Sequence, residues 1–240
     1  MKLLITMFIL STLLLGSIGN ITSFKGSVSI ERDTKKILSK VNLPIEQNDI
    51  ISTRKDSNVI IKFNDNTIIT IGKDSILNIQ EYLYDDKVAS NSKTQFNFLK
   101  GTFKSVTGTI GHLNPNKFKL NTKTAGIGIR GTVMLGNQNI IACTKGAISV
   151  KTNAVSVSVQ EGEYVDISKT TVSTPKKLTI EILSLLNNAL GVSTKSTIDN
   201  ENKSTLQVVS KMLEKDTASQ NSRDSGTDGD SGNGGGGHDH

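Results

Sequence analysis

Tryptophan is absent from this 240-residue chain and aromatic residues make up 4% of it, so a core has to rest on isoleucine, valine and leucine. Cysteine occurs once, as Cys143, which excludes an internal disulfide. That residue ends the apolar strand-like run Ile140-Ile141-Ala142-Cys143. No histidine stands beside it to generate a thiolate, so a buried, inert thiol is expected. Histidine is scarce: His112 lies in a loop-like Gly-His-Leu-Asn-Pro context, and His238 and His240 end the chain. No Ser-His-Asp or Cys-His set can be assembled from these, and the acidic residues show no paired-carboxylate spacing. Asp65, Asp85 and Asp86 sit in turn contexts, where carboxylates bond their own backbone. Neither a phosphate loop nor a dinucleotide fingerprint is present. The expectation is a protein that is not an enzyme and holds no cofactor. No metal site is expected. Asp224, Asp228 and Asp230 lack the glycine and downstream glutamate of a calcium loop, and His238 with His240 offers only a weak zinc or nickel pair in a solvated tail.

The net charge is +6, but the lysines are scattered and not interleaved with aromatics. Nucleic acid is therefore not an expected partner. Lys2 followed by the uncharged run Leu3–Leu15 and the small residues Gly16–Gly19 reads as a secretory signal over residues 1–19. Cleavage is expected before Asn20. The run is short of the ~20 apolar residues that span a membrane, so no stable span is expected once it is removed.

From residue 21 to 173 the chain alternates apolar and polar residues with period two, broken by turn signals. Val59–Phe63 and Ile68–Ile71 flank Asn64-Asp65-Asn66 and predict a hairpin. Further strands are expected at Ser75–Ile79, Lys117–Thr122, Ala147–Lys151, Ala154–Val159 and Tyr164–Ile167. Lys117–Thr122 should point lysine outward and Phe118 and Leu120 inward. The expected fold is all-β: a compact sandwich or a short, solenoid-like β-roll. A helical segment over residues 175–216 should follow. Its first helix opens near Pro175 and ends at Gly191, with an apolar face that includes Leu178, Ile180, Leu183, Leu185, Leu186 and Leu190. A second is expected over Asp199–Glu214. Docking on the β domain is expected of both, with a partner-binding or linker role as the alternative. Residues 217–240, rich in Ser, Gly and Asp, lack the apolar content to order themselves.

The run Thr124-Ala125-Gly126-Ile127-Gly128-Ile129-Arg130-Gly131-Thr132 puts glycine on one face of a strand and isoleucine on the other. Such a strand is expected to be crowded, with another backbone close on its glycine face. Arg130 is expected to pair internally with a carboxylate or cap carbonyls, with contact to a ligand anion as the alternative. Together with Val106-Thr107-Gly108, Phe118 and Thr122-Lys123, this run resembles the signature of FecR-like domains, a family named for a periplasmic iron-dicitrate sensor. Phe63-Asn64-Asp65-Asn66-Thr67, Leu99-Lys100-Gly101-Thr102-Phe103, Lys145-Gly146 and Glu161-Gly162 resemble its other motifs. The chain departs from the pattern at Lys123, where the family has proline, and at Asn66, where it has glycine; asparagine accepts positive φ well.

The resemblance, over residues 21–173, implies a non-enzymatic binding or signalling module, periplasmic or secreted, that engages an envelope protein or surface polymer. It assigns Gly108 and Thr124–Thr132 a structural role. The family's best-known members relay a signal to a sigma factor through a cytoplasmic N-terminal segment. With a signal sequence in that place, sigma regulation is not expected here. The alternatives are a structural or adhesive surface component and an unrecognised hydrolase.

Overall fold

The computed structural model describes residues 16–153, 155–168 and 171–191, and all statements below concern those residues. Sixteen strands form one curled sheet. They are β1 (Gly19–Lys25), β2 (Val28–Arg32), β3 (Lys35–Leu38), β4 (Pro44–Ile45), β5 (Ile50–Thr53), β6 (Asn58–Phe63), β7 (Ile68–Ile71) and β8 (Ile76–Leu83), followed by β9 (Lys93–Lys100), β10 (Phe103–Val106), β11 (Phe118–Thr122), β12 (Gly126–Gly136), β13 (Ile140–Lys151), β14 (Ser156–Gln160), β15 (Glu163–Asp166) and β16 (Lys176–Lys177). The one-turn helix α1 (Thr109–Leu113) precedes β11, and α2 (Ile180–Leu190) follows β16.

The main path runs β3-β2-β5-β8-β9-β11-β12-β10-β7-β6-β1-β4; β13 pairs with β12 and carries β14 and β15, and β16 pairs with β15. Only β9 and β11 pair in parallel; every other ladder is antiparallel.

Alternation explains the layering. On β6, Val59, Ile61 and Phe63 are buried while Lys62 is exposed. On β11, Phe118 and Leu120 point inward and Lys119 outward, as the pattern requires. The interior is mainly isoleucine, but five of the seven phenylalanines also lie in it: Phe63, Phe96, Phe98, Phe103 and Phe118. Phe63, Phe96 and Phe118 make successive ring contacts at 4.9 and 5.8 Å. The expected hairpin is present, with Val59 opposite Ile71 and Lys62 opposite Ile68. Its Asn66 has φ of 65°, a left-handed conformation that suits asparagine in place of glycine.

The helix differs from expectation at its start. Lys176 and Lys177 pair with β15 as a short strand, so the helix begins five residues after Pro175, capped by the Thr179 side chain. Gly191 ends it at φ 67°, as expected. Leu183, Leu186 and Leu190 pack with Leu178 onto Leu135 and Ala142 of the sheet, whereas Ile180 and Leu185 are exposed. Each buried leucine contributes about 1.5–3 kcal/mol. The Asn58 side chain donates to the Leu190 and Gly191 carbonyls, tying the helix end to β6. The second expected helix, the tail and the segment before residue 16 lie outside the described residues. None of the described helices is long and apolar enough to cross a membrane.

A clamp that spacing alone does not reveal joins β2 to the β4–β5 turn. Arg32 grips the fully buried Asp49 carboxylate through Nε and Nη2, both at 2.7 Å, and also reaches Glu46 and the Pro44 carbonyl. Its bond to Asp49, foremost, holds the guanidinium pKa above its ordinary value against the opposing effect of burial.

Candidate functional site

The motif residues divide into a buried knot and an open face. The knot centres on Asp65, which is fully buried in the β6–β7 turn. Its Oδ1 accepts from the Thr67 amide (3.1 Å) and the Tyr82 hydroxyl (2.9 Å), and its Oδ2 accepts from the Thr67 hydroxyl (2.8 Å) and the Ile110 amide (3.2 Å). So the turn bond expected of Asp65 exists, within a wider set that reaches two other elements. The Asp65 amide donates back to Tyr82, and the Gly108 amide donates to the Thr67 hydroxyl. A Cβ on Gly108 would overlap the Asp65 carbonyl oxygen and the Thr67 amide nitrogen. This is why glycine stands there: two backbones touch. Next to it, Thr107 and Thr132 exchange bonds, the Thr132 amide donating to Thr107 Oγ1 at 2.7 Å. Burial, with the Asp65 charge second, pushes the Tyr82 phenol well above its ordinary pKa.

The remaining signature residues build β12 and its turn. Thr124 donates from its hydroxyl to the Gln138 carbonyl at 2.9 Å, and Ala125 is buried. The Lys123 amide donates to Gln138 Oε1 at 3.0 Å, a bond proline could not make. Ile127 and Ile129 enter the core. Gly131, at φ 60°, sits where the β12–β13 register shifts, and a Cβ on the facing Gly146 would come within 2.6 Å of the Gly131 carbonyl.

Two expectations fail here. Gly126 and Gly128 do not face another backbone: the atoms nearest an added Cβ are Asn121 Oδ1 at 3.3 Å and Ser149 Oγ at 2.6 Å, both side chains. Arg130 is exposed and neither buried nor internally paired, because it shares strand parity with the glycines. Close backbone approach is found at other glycines, Gly108 and Gly146 among them. His112, expected in a loop, lies in α1.

Gly126, Gly128 and Arg130 form the floor and one end of an open trough of about 660 Å³ across the outer face of β11–β14. Sheet register fixes its walls: Lys119 lies opposite Gly128, Lys151 opposite Gly126, and Ser149 opposite both Gly128 and Ser158. No aspartate or glutamate lines it, and its single aromatic residue, Phe118, is buried in the core. A row of linked amides leads to it, Gln80 accepting from Gln95 and Asn97, and Asn97 from Asn121. Beyond the trough lies β14, which pairs only with β13. The Gln160 amide points away from β13, onto Glu163 Oε2 at 2.8 Å. By alternation the amides and carbonyls of Ser156 and Ser158 face away from β13 too.

Nothing among the described residues assembles three or more metal-ligating side chains. His238 and His240 lie outside them. Cys143 is fully buried, and burial above all pushes its thiol up to about 12.

A family model described as FecR protein matches residues 49–163, which take in the knot, the trough and β14. No curated protein matches the chain. Two crystal structures of a candidate anti-sigma factor from Parabacteroides distasonis ATCC 8503, at 1.65 and 2.50 Å resolution, are similar in fold at 10% identity and a TM-score of 0.45. Each match covers 56% of this chain and 62% of the crystallised one, less than two thirds of its length.

Proposed function

We propose, from the match of the FecR family model to residues 49–163, that the chain is a non-enzymatic signalling or binding module outside the cytoplasm that engages an envelope protein through the free edge of β14. The family match supports the module class, and the state of the sheet edges carries the mode of engagement. Four strands have one partner among the described residues: β3, β4, β14 and β16. Lysine or proline guards an exposed edge against pairing with another chain. β3 carries Lys35 and Lys36, β4 carries Pro44, and β16 is Lys176-Lys177. β14 is Ser-Val-Ser-Val-Gln, uncharged and alternating, with strand-forming valines. It is the one edge left receptive to an added strand, a recognised mode of protein recognition. The apolar run Leu3–Leu15 supports export.

A photo-cross-linking residue at Ser156, compared with one at Lys36, tests this in the native cell. Adducts to an envelope protein from Ser156 and none from Lys36 are expected. Equal adducts from both, or a cytoplasmic partner, would refute it.

A further inference from the structure

The trough carries a finer statement about what docks beside that edge. Its three cations stand at successive levels along β12. Lys151 is level with Gly126, Lys119 with Gly128, and Arg130 follows two residues on. Residues two apart on a strand are separated by about 6.8 Å, so the three positions step along the trough at that interval, Lys151 from the β13 wall, Lys119 from the β11 wall and Arg130 from the end of the β12 floor. None of the three makes a hydrogen bond or ion pair among the described residues, and no acidic residue lines the trough. Between them the floor is glycine: Gly126 and Gly128 are half-buried, flanked by the Asn121 side-chain amide and the Ser149 hydroxyl.

An extended peptide has the same repeat. Its alternate side chains project to one side about 6.8 Å apart. From this match we propose that the trough binds an extended segment of the partner with carboxylate side chains at alternate positions, an Asp/Glu-x-Asp/Glu-x-Asp/Glu strand lying along β12 over Gly126 and Gly128. Lys151, Lys119 and Arg130 each meet one carboxylate, Arg130 with its planar fork. Asn121, Ser149 and Ser158 supply hydrogen bonds to the peptide backbone. An acidic polysaccharide is the less suitable occupant, since the trough exposes no aromatic ring for a sugar to stack on. The inference rests on the reading that this face meets the partner, but it does not need β14 to accept a strand.

The test is fluorescence anisotropy on the full chain with a labelled octapeptide alternating Glu and Thr. The controls are a block peptide of the same composition, four Glu then four Thr, and polygalacturonate. The alternating peptide should bind at least tenfold more tightly than the block peptide. Lys119→Gln/Arg130→Gln/Lys151→Gln should weaken it at least tenfold, and Gly128→Val, which raises the floor and leaves the charge intact, should do the same. Lys35→Gln/Lys36→Gln/Lys40→Gln, distant in sequence and outside the lining, should leave it within twofold. Equal binding of both peptides, no binding, indifference to Gly128→Val, or tighter binding of polygalacturonate with the same residue dependence would each overturn the proposal. Ser156→Pro removes an outward amide of β14 at a residue outside the trough lining and should not change peptide binding. A failed edge and a failed trough therefore give different results.

Discussion

Replacing Asp65 by asparagine changes almost nothing in volume and removes one acceptor oxygen. The four groups around the carboxylate are all donors in the native knot: the Thr67 and Ile110 amides and the Thr67 and Tyr82 hydroxyls. A carboxylate satisfies all four. An asparagine side chain presents NH₂ at one position. If it replaces Oδ1, it faces the Thr67 amide; if it replaces Oδ2, it faces the Ile110 amide. The hydroxyls can rotate to accept, but a backbone N–H cannot. Either orientation therefore leaves one buried amide unpaired and opposed by another donor, at a cost of about 1–3 kcal/mol. For a domain of this size each kcal/mol lowers Tm by about 2–4 °C. Calorimetry of Asp65→Asn should show Tm lowered by roughly 2–12 °C. Asp65→Ala, which strands all four donors, should lower it further. An unchanged Tm in Asp65→Asn would refute the view that the carboxylate is the acceptor holding the turn, Tyr82 and α1 together.

Gly108→Ala should destabilise strongly, beyond the ~1–3 kcal/mol usual for overpacking, because its Cβ meets two backbone atoms; Arg130→Ala, exposed on the trough, should shift stability by no more than about 0.5 kcal/mol. Stability should fall as pH rises above about 8.5: Cys143 and Tyr82 have raised pKa values in the fold, so their contributions are complete below the ordinary thiol and phenol values of about 8.5 and 10 and are lost above them. Melts from pH 8 to 11 should show this, with a smaller decline in Cys143→Val, and native Cys143 should react with a thiol reagent far more slowly than the urea-unfolded chain. A chain beginning at Asn20 should be less stable by about 1.5–3 kcal/mol than one beginning at Ser17, since Ile18 is buried and its backbone bonds Ile45 and Asn64; equal denaturation midpoints would show that Ile18 is dispensable.

The parts of the fold that rest on local pattern were legible in the sequence. Period-two alternation placed β6, β7, β11 and the later strands, and turn chemistry placed the Asn66 hairpin and the Gly191 cap. Arg130 shows where a legible signal was misread. Its spacing from Gly126 and Gly128 puts it on their face, and Ile127 and Ile129 already claim the core; parity alone predicts an exposed arginine. The helix start at Ile180 is not legible locally, because the Lys176-Lys177 pairing depends on β15 and not on local propensity. The knot was beyond reach for another reason. Asp65, Tyr82, Gly108 and Ile110 are brought together by the sheet topology, and no spacing in the chain announces that Gly108 must clear the Asp65 carbonyl. The same holds for Arg32 and Asp49. The trough needs the register of four strands, since Lys119, Arg130 and Lys151 look scattered in one dimension and form an ordered ladder only once β11, β12 and β13 are aligned.

The most direct test of the account is amide hydrogen exchange at Ser156 and Ser158, with and without the partner captured through Ser156. In the free protein these amides face away from β13 and should exchange fast. In the complex both should be protected, while β3, guarded by Lys35 and Lys36, should not change. Protection at β3 or β16 with Ser156 and Ser158 still exchanging fast would contradict the assignment of β14 as the receptive edge.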